Sequence, residues 1–170
     1  MLHQDEPEKE GFQRAYRQHI DAVYRVCYGF MKNNADAEDA VQETFLKYLR
    51  TEKCQSFESE SHERAWLIVT ASNICKNSLK SWTRQKREDV ENTEELLPAH
   101  QDREEISPVL EAVLGLPDKY KTVIYLYYYE EYSCKEIAVA MEKKESSIRS
   151  LLKRGRALLE KKLGGEADEK

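Results

Sequence analysis

Residues 36–50 read DAEDAVQETFLKYLR. The stretch holds no Gly or Pro, and its less polar residues return every three or four positions. Ala37, Ala40, Val41, Thr44, Phe45 and Tyr48 form one stripe, the spacing of a helix buried along one side. The opposite stripe carries Asp39, Gln42, Glu43, Leu46 and Leu49. Two leucines among acids and an amide suit a surface that meets a partner. The plainer reading is an exposed face with half-buried leucines. Asp36 is expected to cap this helix, with Asp39 three residues on.

Working outward toward the N-terminus, KNNAD at 32–36 ends an earlier periodic run. That run predicts a helix over 12–31 with Tyr16, Ile20, Val23, Tyr24, Cys27 and Phe30 on its apolar side. Toward the C-terminus, TEKCQSFESESHE at 51–63 reads as a polar loop. A third helix is predicted over about 63–87, with Leu67, Ile68, Ala71, Ile74, Cys75 and Leu79 facing inward. Thr70, Asn73, Asn77, Lys80 and Arg84 are expected on its other side, where amides and cations can bond base edges and phosphates. Trp66 borders the inward stripe and is read as structural. Trp82, nearer the basic end, is open to stacking on an unpaired base.

The second half has another texture. Ser107 is placed to cap a short helix ending at Gly115, and Pro117 to open the next. The run VIYLYYY at 123–129 has strand propensity, but Tyr120, Val123, Ile124, Tyr127 and Tyr128 keep helical spacing and no partner strand is visible. A helix with its tyrosines packed between helices is expected. Ser133 and Glu136 form a capping-box pattern ahead of a helix burying Ile137, Ala138 and Met141. After the turn EKKE, a last helix buries Ile148, Leu152, Gly155, Leu159 and Leu163. It exposes Ser146, Ser147, Arg149, Ser150, Lys153, Arg154 and Arg156. This is the form of a helix-turn-helix, whose second helix enters the major groove. A plain helical hairpin is the alternative.

The chain has 170 residues, only 6 Gly and 4 Pro, and 35% charged residues. So few turn formers exclude an all-β sandwich or barrel. The expected fold is all-α. Net charge is −5, which by itself argues against nucleic acid. By segment, residues 1–88 sum to 0, 89–105 to −6 and 106–170 to +1. The deficit therefore sits in DVENTEELLPAHQDREE, which has few large apolar residues and reads as a linker. Basic residues gather without acids at Lys76, Lys80, Arg84, Lys86 and Arg87. They gather again between Lys143 and Lys162. One basic helix end in each half favours nucleic acid over a merely solvated face.

Cys27, Cys54, Cys75 and Cys134 include no C-x-x-C pair, and His3, His19, His62 and His100 are scattered, so no metal or cofactor is expected. Cys27 and Cys75 read as small core residues of a reducing compartment. The polar, acidic N-terminus is unlike a secretory signal, and no apolar run is long enough for a membrane span. A cytoplasmic protein without membrane insertion is expected.

These segments together resemble one family. DAEDAVQETFLKYLR, FESESHERAWLIVTASNICKNSLK, LPDKYKTVIYLYYYEEYSCKEIAVAM and SSIRSLLKRGRALLEKKL are similar, in order, to the bacterial extracytoplasmic-function (ECF) sigma factors. These are the small alternative specificity subunits of RNA polymerase. The resemblance covers about 12–163, and DAEDAVQETF is its most specific piece. It implies region 2 at 1–88, an acidic linker at 89–105, a region 4 helix-turn-helix at 106–165 and a tail at 166–170. Asp39, Gln42, Glu43, Leu46 and Leu49 match residues that grip the clamp coiled coil of the polymerase largest subunit. The loop from about Phe57 to His62 matches the one capturing an unstacked −10 base. Asn73, Lys76, Asn77 and Lys80, with Arg84 beyond, match the −10 reading helix. Ser146, Ser147, Arg149, Ser150 and Lys153, followed by Arg154 and Arg156, match the −35 reading helix. Implied partners are core RNA polymerase, through its clamp and flap, promoter DNA and an anti-sigma factor.

Three positions depart from the family pattern. Glu142 and Lys143 stand where a Gly and an aliphatic residue are usual in the turn, so a wider or looser turn is expected. Leu151 replaces a common basic residue, and Trp82 interrupts a run of arginines. No catalytic group is implied, and no phosphate-binding glycine loop is present. Two other readings compete. One is a free-standing helix-turn-helix regulator that dimerises through its first domain. The other is an enzyme built on Asp36, Glu38, Asp39 and Glu43, which lie on mixed faces of one helix with no converging His.

Overall fold

The computed structural model describes residues 5–51, 57–88 and 107–168, with side chains described for 9–51, 57–83 and 107–164. The acidic stretch 89–105, His3, His100, Cys54 and the side chains of Arg84, Lys86 and Arg87 lie outside the described residues. The chain divides into two units, Met1–Ala99 and His100–Lys170. Every regular element among the described residues is a helix.

Unit 1 is a three-helix bundle of α1 (Asp5–Met31), α2 (Asn34–Arg50) and α3 (Glu60–Glu88), each packed on the other two. Val23 and Cys27 of α1, Val41 and Phe45 of α2, and Leu67, Ile68 and Cys75 of α3 fill its centre. The predicted stripe of α2 is buried at all six positions. The cap differs from the expectation. Asn33, in extended backbone, accepts from Asp36 N at 2.8 Å, and its amide donates back to the Asp36 carboxylate. Asp36 thus lies inside the first turn, where a negative side chain suits the helix N-terminus.

Two other boundaries move outward. α1 starts at Asp5, seven residues before the expected Phe12. The acidic start carries no apolar stripe, so periodicity could not reveal it. α3 starts at Glu60 because Ser59 caps it, its hydroxyl accepting from His62 N and its carbonyl from Glu63 N, each at 3.1 Å. The polar composition of 58–63, read as loop, is that of a helix N-terminus. On α3 residues 67–72 are buried without interruption, so Thr70 is enclosed and not on the outer face expected for it. A central stretch covered by both α1 and α2 has no solvent side.

Unit 2 comprises α4 (Pro108–Leu114), α5 (Asp118–Ile124) with a π-helical extension at Tyr125–Tyr129, α6 (Cys134–Met141) and α7 (Glu145–Asp168). Helices α4, α5 and α6 all pack on α7. Ser107 caps α4 by accepting from Leu110 N, and Lys162 of α7 donates to Gly115 O at its far end, 2.6 Å away. The π extension was not foreseen. Glu130 N bonds Tyr125 O, five residues back, and this longer turn shifts the helical phase. Tyr125 and Leu126 are buried, whereas Tyr128 and Tyr129 are exposed, so the tyrosine run is not wholly packed between helices.

The turn between α6 and α7 keeps a regular C-terminal geometry. Glu142 adopts left-handed backbone at φ 54°, Lys143 N bonds Ala138 O at 3.0 Å, and Glu142 N bonds Val139 O at 3.3 Å. This is a Schellman motif, the arrangement glycine usually permits. The expected wider turn is therefore not found; the departure from glycine is expressed as backbone strain instead.

Candidate functional site

Asp39, Gln42, Glu43, Leu46 and Leu49 are all exposed along one side of α2. Leu46 and Leu49 each retain 49% of their surface. The helix buries its whole apolar stripe elsewhere, so these leucines play no part in the bundle core. A regular helix thus presents two apolar side chains flanked by carboxylates and an amide, without neighbours from its own unit covering them.

The stretch 57–62 is seated on an aromatic cluster. Phe57 lies parallel to Tyr48, with centroids 6.2 Å apart and planes 4° apart. His62 meets Phe57 edge-on at 5.3 Å, and Trp66 packs against both Phe57 and Tyr48. Trp66 is thus structural, as its place beside the inward stripe suggested. Further along α3, Asn73, Asn77 and Lys80 are exposed, and Lys76 and Trp82 are half-buried. Spacings of three and four put Asn73, Asn77 and Lys80 on one side.

Beneath this cluster lies a polar centre that sequence reading missed. The Glu63 carboxylate is buried in the first turn of α3. Arg14 of α1 grips it with both terminal nitrogens, at 3.3 and 3.0 Å. His19 Nε2 donates at 3.0 Å and Tyr48 Oη donates at 3.0 Å. Four donors from α1 and α2 thus converge on one acid of α3, which is how a buried charge is tolerated. With its proton on Nε2, the His19 ring leaves Nδ1 as an acceptor, and Nδ1 has no protein partner. A second proton there would be buried unpaired. Burial accordingly holds His19 below the ordinary histidine value, against the opposing pull of Glu63, while the bond to Glu63 raises Arg14. One signal existed: Ala15, His19, Ala22 and Val26 form a second stripe at helical spacing. Glu63 carried none, because it sits among polar neighbours.

Two cysteines are accounted for locally. Cys27 and Cys75 are free and fully buried. The bond to Cys75 and burial both push the Cys27 thiol up, which keeps it protonated and unreactive. Among the described residues, no three His, Cys, Asp or Glu side chains come together as a metal site. No described helix is long and apolar enough to cross a membrane.

In unit 2, Ser146, Ser147, Arg149, Ser150, Lys153, Arg154 and Arg156 are all exposed on α7, while Ile148 and Leu152 anchor its inner side. Arg149 pairs with Glu145 at 2.7 Å within the helix. Arg156 lies over the rings of Tyr127 and Tyr128, at 5.7 and 5.4 Å from their centroids, so its guanidinium is held by the π-helical segment. Leu151 is half-buried at the border of the inner side.

The Sigma-70 region 2 family profile matches residues 15–87, and the Sigma-70 region 4 profile matches 106–159. The ECF RNA polymerase sigma factor SigM of Bacillus subtilis is 30% identical over 156 residues, covering 85% of this chain and 90% of SigM. The chain is an ECF sigma factor. SigW of the same bacterium is 29% identical, covering 91% of this chain and 92% of SigW. SigE of Mycolicibacterium smegmatis is 29% identical over 90% of this chain, which spans only 62% of SigE. Among solved structures, the sigma factor RpoE from Bartonella quintana, in complex with the anti-sigma factor NepR, shares the fold. Its TM-score is 0.60 at 22% identity, covering 90% of this chain and 96% of RpoE. For a sigma factor of this family the exposed α2 side belongs to region 2, and the exposed polar side of α7 belongs to region 4.

Proposed function

We propose that this ECF sigma factor binds core RNA polymerase and directs initiation at promoters read by both units. Residues 1–88 act as region 2 and 106–165 as region 4, joined by the acidic segment 89–105. Asp39, Gln42, Glu43, Leu46 and Leu49 bind the clamp coiled coil of the largest subunit, and region 4 meets the flap. Asn73, Lys76, Asn77, Lys80 and Arg84, with His62 in the first turn of α3, engage the −10 element. Bases leaving the opening duplex are captured there, and stacking offsets an unstacking cost of a few kcal/mol per base.

Region 4 reads the −35 duplex. Ser146, Ser147, Arg149, Ser150 and Lys153 face the major groove, and Arg154 and Arg156 hold phosphates. The observation that carries this reading is the pair of surfaces itself. The helix of unit 1 that matches region 2 keeps two leucines uncovered among acids. The helix-turn-helix of unit 2 keeps its polar and basic side free of its own core. No catalytic step is required, because the activity is binding, positioning and base capture. The negative charge of 89–105 disfavours free DNA, leaving productive contact to the holoenzyme. An anti-sigma factor would compete for the same surfaces, and the protein acts in the cytoplasm with the polymerase.

Run-off transcription with purified bacterial core polymerase and a promoter library tests the proposal. Adding the protein is expected to create new start sites. A library that yields none refutes it, and tight promoter binding without polymerase would favour a free-standing regulator.

A further inference from the structure

Tyr48 is used twice. Its hydroxyl donates to buried Glu63 at 3.0 Å, and its ring face carries Phe57, three residues ahead of α3. Glu63 is in turn held by Arg14 and His19 of α1. One carboxylate therefore ties the start of α3 to both other helices, and a single side chain transmits that tie to Phe57. The hydrogen bond fixes the Tyr48 ring within its plane, and the ring fixes Phe57. Phe57 in turn packs on His62 and Trp66 of α3, with ring centroids 5.3 and 5.8 Å from its own.

We infer that Tyr48, anchored on Glu63, is a positioning residue that sets the pose of residues 57–62, the bend and first turn of α3, for base capture and thereby the sequence selectivity at the −10 element. The inference rests on the sigma reading above. Tyr48 touches no base. It acts by removing alternative poses of this segment, so that the capture energy is not spent on ordering it.

Tyr48→Phe separates this role from general stability, because it keeps the ring and removes only the hydroxyl. Thr44→Val is the control. Thr44 is buried one turn earlier on α2, and its hydroxyl bonds Ala40 O rather than Glu63. Both variants, with core polymerase, are assayed by run-off on a promoter identified for the wild type and on single-base variants of its −10 and −35 elements. Tyr48→Phe is expected to lose roughly tenfold in discrimination among −10 variants, the scale of one hydrogen bond to a charged group. Its −35 discrimination should stay at the wild-type value, and Thr44→Val should keep both. Unchanged −10 discrimination in Tyr48→Phe overturns the inference, as does an equal loss in Thr44→Val. If the wild type itself initiates nowhere, the sigma reading fails and this inference falls with it.

Discussion

A methyl group added to Gly155 would lie 2.8 Å from Ile124 Cγ1, closer than side chains in proteins approach. Helix α7, whose outer side is proposed to read DNA, therefore crosses α5 at a distance that only glycine permits. Gly155→Ala is expected to destabilise unit 2 by about 1–2 kcal/mol. Overpacking costs about 1–3 kcal/mol, and the better helix propensity of alanine recovers up to ~1 kcal/mol. Urea unfolding followed by circular dichroism checks this; a variant as stable as the wild type would show that the helices can part at no cost.

Glu142 in left-handed backbone points the other way. A non-glycine residue there costs roughly 1–2 kcal/mol, partly offset because glycine frees the unfolded chain. Glu142→Gly is expected to stabilise the helix-turn-helix by about 0.5–1 kcal/mol, read as a higher melting temperature. The proposed −35 reading should be untouched, since the side chain removed is exposed and belongs to none of the residues assigned to it.

The buried His19 makes unit 1 acid-sensitive. Glu63, Arg14 and Tyr48 bond within its cluster, and Arg64 and Glu60 act on it through their charge. Its folded proton affinity is lowered below the ordinary 6.5, so the unfolded chain binds a proton that the folded chain refuses. Stability from this group is complete above about pH 6.5 and is lost as pH falls below it. His19→Gln, which can still donate to Glu63 but does not titrate, is expected to flatten that slope. Melting curves between about pH 8 and pH 5 would reveal it, and parallel slopes for the two proteins would contradict it.

The exposed side of α2 makes a separable prediction. Gln42→Ala combined with Glu43→Ala removes polar groups that contribute nothing to the buried stripe. Affinity for core polymerase should fall by at least tenfold, about 1.4 kcal/mol, with the melting temperature unchanged. Pull-down or fluorescence titration with core polymerase gives the answer, and wild-type affinity would exclude this surface as the clamp-binding one.

On α7, Arg154→Ala and Arg156→Ala, the side chains assigned to phosphates, should act differently from a core change. Each cation that neutralises a phosphate releases a counterion, so removing one lowers the salt dependence of promoter binding by about one unit of slope. Holoenzyme binding across a salt series measures it, and an unchanged slope would show that neither side chain meets a phosphate.

Periodicity and caps determined much of this protein without any coordinates. The stripe from Ala37 to Tyr48, the Ser107 and Ser133 caps and the exposed polar side of 146–156 are local patterns. A helix needs only neighbours three and four residues away to declare its faces. The order of those helices also carried the family resemblance. Tertiary structure decided what depends on residues distant in sequence. Glu63 and His19 are 44 positions apart, and nothing in the local pattern around either one pairs them. The burial of Thr70 depends on α3 being covered from two sides. The outward turn of Tyr128 depends on one extra residue in a helical turn. The need for glycine at 155 depends on how closely Ile124 approaches. Each is a matter of which groups meet across the bundle, and the free energy of a buried charge or a close crossing is settled only there.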